Sequence, residues 1–364
     1  MKVDALPSSF TYVKNFLVSF QTLKPPKLPP TPFPTTPDNN YRTGVSSEVK
    51  WLATANTSDV YTSWVQYHSK NIHYTRKPDI SVILPLIDSH VHTLDTQYHC
   101  MEIAKKTTQL LNPLQITCGG CDQPVFKITK DLQWRFPELF GQDKYFCIFG
   151  SLHIEKSILI LCSSLIEGSG LNKIMNSCGL SIVGTDSLVT VNHDESGDKE
   201  PVMEWLKDQC DKSEMCHYWY LILDLMLNLL IFVRSIREGN FSLYVSSLKQ
   251  VVKWYFALGH YHYARWVTVH LYDLINLPST SPYLYKCFSD GYFAFQKTNR
   301  KFSLMGIDQA HEQNNVVIKG MGGATSVLNK DDESGLARWE LCLSCLCSLT
   351  NTKAPPRKKR NLSP

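Results

Sequence analysis

The segment Tyr145-Phe-Cys-Ile-Phe149-Gly-Ser-Leu-His153-Ile-Glu155 decides the fold class of this 364-residue chain. Its first five residues are all apolar, which predicts a strand that is buried on both faces. A helical pattern over residues 154–165 follows directly and stops at Gly168. A strand that runs straight into a helix is the repeating unit of α/β layers, so the segment predicts that class.

A second strand–helix unit lies upstream. Leu114-Gln-Ile-Thr-Cys118 predicts a short strand, and Pro124 favours the start of a helix that runs to Trp134. Residues 80–86 are also strand-like, and residues 96–111 have helical spacing. The resulting β-α-β-α order predicts parallel strands joined by helical crossovers.

Residues 202–278 have a different character, because four helical patterns follow one another without a strand signal. They cover residues 202–211, 218–238, 241–258 and 261–275, and Leu277-Pro278 is expected to end the last one. Residues 218–233 are nearly all apolar, but the run is shorter than the roughly 20 residues that a bilayer requires. The sequence therefore predicts an all-α insertion with a buried helix and no membrane role.

The two ends of the chain differ from its middle. Seven prolines in residues 24–38 predict an extended segment, and Lys353-Ala-Pro-Pro-Arg-Lys-Lys-Arg360 is typical of a nuclear-localisation patch. The sequence predicts a disordered N-terminal segment over residues 1–45 and an α/β core over residues 46–200. An all-α insertion is expected over residues 201–300, and residues 301–345 return to the core with an acidic helix. Residues 346–364 are expected to be a disordered basic tail.

The cellular compartment is predicted from the start of the chain and its cysteines. The first residues lack the apolar core and cleavage site of a signal peptide, so the protein is not expected to be secreted. The twelve cysteines are then reduced thiols of a nuclear, or otherwise cytoplasmic, protein.

Acidic, imidazole and amide groups are concentrated in Asp308-Gln-Ala-His311-Glu312-Gln-Asn-Asn315. On a helix, Asp308, His311, Glu312 and Asn315 fall at i, i+3, i+4 and i+7, which is one continuous face. Two carboxylates on one face repel each other unless a cation, a proton or a partner holds them. The segment is therefore either a metal-facing edge or a solvated surface.

Further candidate groups follow the two predicted strands. Asp122 comes after the first strand, and His153 and Glu155 come after the second. Since catalytic groups gather at the carboxyl ends of strands in open α/β sheets, these residues are expected to converge with Asp308 or Glu312. Such a set suits one or two Mg²⁺ or Mn²⁺ ions, which would activate water for phosphodiester chemistry. In the alternative interpretation, Asp122 caps the next helix and His153 satisfies backbone groups.

Two other patterns indicate metal sites. Asp88-Ser-His90-Val-His92 matches the strand end at which amidohydrolase-type enzymes bind their ion, although those enzymes need a barrel of strand–helix repeats. Cys118-Gly-Gly-Cys121 and Cys342-Leu-Ser-Cys345 have the spacing of zinc knuckles or redox pairs.

Several motifs in order resemble those of the domain of unknown function 6589 family, which is associated with mobile elements. They are Cys121-Asp-Gln-Pro-Val-Phe126, Gln133-Trp-Arg-Phe-Pro137, residues 149–155, Gly168-Ser-Gly170, residues 232–240, Tyr263-Ala-Arg-Trp-Val267, Phe295-Gln-Lys-Thr298 and residues 307–315. The resemblance covers residues 60–340 and supplies no activity, since the family has none established.

A second resemblance is to RNase H-like transposases of the P-element type. Asp122-Gln123 is similar to the second catalytic Asp and its neighbour, and His153-Ile-Glu-Lys156 is similar to a motif of the following strand. After a helical insertion, Glu312 or Asp308 matches the last acidic residue. The resemblance implies catalytic roles for Asp122, His153, Glu155 and Glu312, with Asp122, Glu312 and Asp308 as metal ligands.

The resemblance also implies the fold: a helix-rich α/β protein with an RNase H-like parallel or mixed sheet, interrupted by a large all-α insertion. The hairpin that carries the first catalytic Asp is missing from residues 1–77, so the core is expected to be truncated and its catalysis impaired.

We accordingly expect a transposase-derived protein that retains nucleic-acid or protein binding, with DNA, or a protein bound by the helical insertion, as partner. The residues expected to contact nucleic acid are Arg234, Arg237, Lys249, Lys253, Arg265 and Lys319. The alternatives are an active metal-dependent nuclease or transposase, a non-catalytic helical interaction module, and the amidohydrolase interpretation.

Overall fold

The structure is a computed structural model that describes residues 32–33, 35–57, 62–72, 76–81, 87, 89–171 and 208–320. The predictions for residues 82–86, 202–207 and both ends of the chain lie outside these residues. The described part is helix-rich, as expected, with eleven helices and four short strands.

The elements are numbered in chain order. The helices are α1 (Asn39–Thr57), α2 (Trp64–Ser69), α3 (Leu94–Leu111), α4 (Gln123–Arg135), α5 (Pro137–Phe140), α6 (Ser151–Ile166), α7 (Glu214–Glu238), α8 (Phe241–Ala257), α9 (Tyr261–Thr280), α10 (Pro282–Ser289) and α11 (Ile307–Gly320). The strands are β1 (Thr117–Cys121), β2 (Tyr145–Phe149), β3 (Phe295–Gln296) and β4 (Leu304–Met305).

The predicted β-α-β-α unit is present. Strands β1 and β2 pair in parallel, with Thr117 opposite Tyr145 and Cys121 opposite Phe149, and α4 connects them. Every residue of β2 is buried, which explains its unbroken apolar sequence. The side chain of Gln133 in α4 donates a 2.6 Å hydrogen bond to the carbonyl of Tyr145 and so fixes the crossover against the strand.

Two element boundaries differ from the sequence prediction. Strand β1 begins at Thr117 instead of Leu114, whose side chain is 90% exposed in the preceding turn. Helix α9 continues past Pro278 to Thr280, although the proline was expected to stop it. Proline removes the backbone donor to the carbonyl four residues earlier and its ring crowds that carbonyl, and the helix accordingly ends only two residues beyond Pro278.

The predicted all-α block is formed by α7, α8 and α9, each of which packs against the next. Helix α7 also contacts α1 and α6, which joins the block to the α/β part. It is long and apolar enough to cross a membrane by composition, but half of its most apolar window is buried in the protein. Leu225, Ile231 and Phe232 are fully buried there, so this face of α7 belongs to the hydrophobic core.

Helices α1, α2 and α7 meet at a buried group of charges. Glu48 has no exposed surface and accepts hydrogen bonds from the guanidinium of Arg234 at 2.8 Å and the indole of Trp64 at 2.8 Å. The carboxylate oxygen of Glu48 that accepts from Trp64 also lies 3.2 Å from Nε2 of His68. The same guanidinium is paired with a second carboxylate, because Glu238 lies 3.1 Å from Nε of Arg234. The Arg234 guanidinium is thus buried and held by two carboxylates, and the nucleic-acid contact expected of it stays a prediction.

Replacing Glu48 with Gln is expected to lower the free energy of unfolding by about 3–5 kcal/mol, since it leaves the Arg234 charge buried with less compensation. Chemical denaturation followed by circular dichroism measures the change. Lys106→Ala is the matched control, because Lys106 forms an exposed pair with Glu102 on α3, and its loss should cost less than about 0.5 kcal/mol. Equal losses in the two variants would contradict the structural role of the buried pair.

Candidate functional site at the carboxyl edge of the parallel strands

Asp122 immediately follows β1 and begins α4. Its Oδ1 accepts a 3.2 Å hydrogen bond from the backbone N–H of Val125, which makes it the N-cap of the helix. Pro124 in the first turn suits the same start, because its missing donor would have no partner there. The capping role considered from the sequence is therefore confirmed, and it places the Asp122 carboxylate at the carboxyl edge of the sheet.

Asp308, in the first turn of α11, reaches the start of α6 from 155 residues away. Its two oxygens accept hydrogen bonds from the backbone N–H groups of Leu152 at 3.1 Å and His153 at 3.2 Å. The N-cap position of α6 is Gly150, which has no side chain to provide this bond. Asp308 thus caps α6 from a distant part of the chain, and the helix dipole favours its negative charge.

Two glycines make this approach possible. A Cβ atom at Gly150 would collide with the Asp308 carboxylate and with the carbonyl of Cys121, and a Cβ at Gly306 would lie 2.7 Å from Asp308 Oδ1. Gly150 also donates a 2.8 Å backbone hydrogen bond to Cys121, which extends the β1–β2 ladder by one residue. The carboxylate of Asp308 therefore lies in a cradle that only glycine leaves open.

His153 completes the arrangement around Asp308. Its Nδ1 lies 2.9 Å from Asp308 Oδ2. This hydrogen bond raises the pKa of His153 against the opposing effect of burial, and the nearby Asp122 carboxylate adds to the rise. Burial by itself raises the pKa of Asp308, but the hydrogen bonds from His153 and the Leu152 N–H outweigh it, so the pKa is lowered. The two groups form an ion pair in which each favours the charged form of the other.

Two more ionisable groups adjoin the pair. Burial raises the pKa of the Tyr263 hydroxyl, and the carboxylates of Asp122 and Asp308 raise it further. Burial also raises the pKa of Glu155, one turn into α6, while the guanidinium of Arg237 partly offsets that rise. The edge thus collects Asp122, His153, Asp308 and Tyr263, with Glu155 on the side that faces Arg237.

The acidic helix does not present the single face that its sequence suggested. Asp308 is 7% exposed and turned into the cradle, whereas His311 and Glu312 are exposed to solvent. The difference arises because Asp308 lies in the first turn, where its side chain can reach backbone donors of α6. The two carboxylates therefore do not need a shared cation to offset their repulsion.

The chemistry of the donor set suits Mg²⁺ or Mn²⁺, but the geometry does not form a ligand set. Both oxygens of Asp308 already accept N–H groups, and Asp122 accepts the Val125 N–H. Within residues 35–320, apart from the stretches that the structure leaves undescribed, no three His, Cys, Asp or Glu side chains are grouped to hold a metal ion. Binding of Mg²⁺ or Mn²⁺ at this edge stays a prediction.

The basic residues expected to bind nucleic acid lie in several environments. Arg237 is half-buried on α7, and its guanidinium lies over the rings of Trp64 and Phe302. Lys249 is 3.5 Å from Asp38, and Lys253 is 3.4 Å from Asp224. Arg265 is exposed on α9, and the side chain of Lys319 lies outside the described residues. Of the five whose side chains are described, Arg237 adjoins the strand edge, through Glu155.

The other two metal patterns are not supported as sites by the described residues. His90 and His92 are exposed in a turn before α3, and Asp88 is not described. The four described strands form two separate two-stranded sheets, so the barrel that the amidohydrolase interpretation requires is absent from this part of the chain. Burial raises the pKa of Cys118 and Cys121 to about 12, which keeps both thiols neutral, while Cys342 and Cys345 lie outside the described residues.

Sequence reasoning missed a group of cations beside this edge. The loop between β3 and β4 carries Lys297, Arg300 and Lys301, which line two cavities together with Arg237. The signal was visible as a local cluster of basic residues in Lys297-Thr-Asn-Arg-Lys301, directly before the acidic helix. Hydrophobic periodicity identifies helices, whereas strands as short as β3 and β4 have almost no periodic pattern, so the hairpin between them was not predicted.

The His153–Asp308 pair predicts a defined pH dependence of stability. The raised pKa of His153 gives stability that is complete below about pH 6.5 and is lost as the pH rises through the higher folded value. The lowered pKa of Asp308 gives stability that is complete above about pH 4 and is lost as the pH falls through the lower folded value. The contribution of the pair is therefore greatest between about pH 4 and 6.5.

Asp308→Asn keeps a hydrogen-bond acceptor for α6 but removes the charge, so it should flatten the pH profile of unfolding in this window. Asp308→Ala also removes the cap and should cost about 1–3 kcal/mol. Denaturant unfolding at a series of pH values measures both effects, with the exposed Glu312→Ala as control. A wild-type pH profile in Asp308→Asn would contradict the ion pair.

Part of the chain matches a known family model. Residues 182–353 match the model of a domain of unknown function (DUF8702), a range that includes the described helices α7 to α11 and the β3–β4 hairpin. No curated protein and no solved structure matches the chain. The match gives no activity, and the resemblance to the domain of unknown function 6589 family and to transposases stays a prediction.

Proposed function

We propose that this chain is a nucleic-acid-binding protein built on an RNase H-like core whose metal-dependent catalysis is impaired. One observation carries the proposal. Asp308, on the helix that follows the helical block, returns to the carboxyl edge of β1 and β2 and pairs with His153, beside Asp122 at the neighbouring strand end. A late acidic residue that returns to the strand edge after a helical insertion is the arrangement that the transposase resemblance implies.

The hydrogen bonds of the edge support impaired catalysis. A catalytic carboxylate needs oxygen lone pairs that are free to bind an ion. Asp308 instead caps α6 and holds the imidazolium of His153, and Asp122 caps α4. A metal ion would have to displace these donors, at the cost of leaving buried N–H groups without partners. These hydrogen bonds therefore support a structural role for Asp308 and Asp122, although both resemble catalytic residues.

Nucleic-acid binding is supported by the charge beside this edge. Arg237, Lys297 and Arg300 line the cavity that contains Glu155, at the first turns of α6. Phosphate groups supply most of the affinity of nucleic acids for proteins, and lysine and arginine side chains are what they contact. A nuclear site of action fits this function. A protein partner for the helical block is the alternative that the same assay addresses.

The test is fluorescence polarisation of the purified full-length chain with labelled DNA, without divalent ions, over a range of salt concentrations. We expect binding that weakens steeply between about 50 mM and 200 mM salt. Cleavage assays and thermal unfolding with Mn²⁺ on the same preparations should give no cleavage and no saturable rise of the unfolding midpoint. Absence of binding at about 50 mM salt would refute the proposal and leave a protein partner as the function to examine.

Asp122→Asn is the matched variant for the catalytic part of the proposal, because asparagine still caps α4 but is a poor ligand for Mg²⁺ or Mn²⁺. We expect it to bind DNA and to unfold as the wild type does. Cleavage by the wild type that disappears in Asp122→Asn and in Glu312→Ala would instead establish an active metal-dependent nuclease.

A further inference from the structure

The β3–β4 hairpin and the C-terminal end of α7 enclose two cavities, of about 520 and 270 Å³. The two share Arg237, Arg300, Ser303 and Leu304, so they adjoin and form one recess, which we call the basic cleft. The smaller cavity begins at the first turns of α6, beside Glu155, and the larger one extends to Tyr292. The larger volume is in the range of sites that hold a ligand of about the size of a nucleotide.

The charge of the basic cleft is positive. Five basic side chains line it, those of Arg76, Arg237, Lys297, Arg300 and Lys301, against the three carboxylates of Glu155, Glu238 and Asp290. No carboxylate of the described residues lies within ion-pair distance of Lys297, Arg300 or Lys301. Glu238 is held by Arg234. Arg237 faces Glu155, whereas Lys297, Arg300 and Lys301 have no carboxylate ion pair among the described residues and are placed to bind an external anion.

The loop that carries three of these cations is held in place from within. Gln296 is 3% exposed, and its side-chain amide donates hydrogen bonds to the carbonyl of Thr298 and to Ser303 Oγ. Ser303 Oγ in turn donates a 2.5 Å hydrogen bond to the carbonyl of Arg300. A loop with these internal bonds presents its cations with less loss of conformational entropy on binding.

Phe302 adds a second anchor. It has a left-handed backbone with φ of 57°, which is uncommon for a residue other than glycine. Its ring is buried, 5.1 Å from Trp64 and stacked 5.7 Å from His68. Packing of the ring holds the strained backbone in place and turns the neighbouring Arg300 and Lys301 outward, where both are exposed.

An aromatic platform lies at the other end of the basic cleft. Tyr292 is 54% exposed, and the guanidinium of Arg76 lies 4.3 Å from the centre of its ring. Arg76 donates hydrogen bonds to the carbonyls of Gly291 and Ala294, at 3.1 and 2.7 Å, so it is fixed beneath the tyrosine. Aromatic rings and guanidinium planes are the surfaces on which unpaired bases stack.

We propose that the basic cleft binds single-stranded nucleic acid, with an unpaired base against Tyr292 and phosphates along Arg300, Lys301 and Arg237. This proposal rests on the proposed nucleic-acid function and assigns it to a site. The recess holds its cations around a cavity of nucleotide size, whereas duplex DNA is contacted by elements that project into its grooves. The combination of a basic recess and an exposed aromatic ring fits an unpaired strand.

The test measures binding of the full-length chain to labelled oligothymidylate, oligouridylate and a hairpin duplex. We expect the unpaired strands to bind more tightly than the duplex. Arg300→Gln with Lys301→Gln should weaken single-strand binding and lower the slope of log affinity against log salt by about 1.4, since each phosphate contact contributes about 0.7. The ratio of DNA to RNA affinity tells whether the 2′-hydroxyl is read.

Tyr292→Ala should weaken single-strand binding by roughly 5- to 100-fold, and Tyr292→Phe should restore it, because stacking needs the ring and not the hydroxyl. The matched control is Lys106→Gln with Lys127→Gln, which removes two exposed cations from α3 and α4 that do not line the cleft and should change affinity by less than about 2-fold. Circular dichroism and the unfolding midpoint of each variant establish that it is folded.

The outcomes separate this inference from the proposed function. Wild-type single-strand affinity in the Arg300 and Lys301 variant overturns the cleft and leaves nucleic-acid binding intact. Tighter binding of the duplex, or wild-type affinity in Tyr292→Ala, also overturns it. A wild type that binds none of the three probes refutes both proposals.

Discussion

The packing of the described helices depends on the hydrogen bonds that the Asp308 carboxylate accepts. This carboxylate caps α6 through two backbone N–H groups and holds the imidazole of His153. Because Asp308 belongs to α11, these bonds fix the last described helix against the first helix after the parallel strands. The chain between them, which includes the helical block and the hairpin, is thereby closed into one tertiary unit. Gly150 and Gly306 are required at the two contact points, since a Cβ at either position would displace the carboxylate.

Two buried ion pairs reinforce the same closure. Glu48 and Arg234 join α1 to α7, and Lys130 of α4 lies 2.8 Å from Asp273 of α9. Burial raises the pKa of Asp273, and the charge of Lys130 partly offsets this rise. Each pair connects the helical block to an element outside it, so the loss of one partner would leave a charge in the core without compensation. These pairs specify how the block docks, which apolar packing alone would leave less defined.

The carboxyl edge and the basic cleft are neighbours, and Glu155 and Arg237 belong to both descriptions. In a nuclease, acidic groups bind ions at the strand edge, and basic groups beside them hold the nucleic-acid backbone. Here Asp122 and Asp308 cap helices, while Lys297, Arg300 and Lys301 line a recess and have no carboxylate ion pair among the described residues. A protein that lost catalysis and kept binding would be expected to differ in this direction. The proposed loss of catalysis follows from the acidic groups, which cap helices, and the proposed binding follows from the basic groups, which line the cleft.

The sequence by itself determined the element types, because their signals are local. The apolar run at Tyr145 made a buried strand, helical periodicity marked the block, and Asp122 followed by Pro124 marked a helix start. Only the tertiary structure decided which side chains meet. Asp308 and Glu312 fall on the same face of a helical wheel, but Asp308 lies buried between Gly150 and Gly306, whereas Glu312 is exposed to solvent. Arg234 and Arg237 are close in sequence, yet Arg234 is buried in a pair with Glu48, whereas Arg237 lines the basic cleft. Contacts between residues far apart in the chain set these environments, and periodicity carries no information about them.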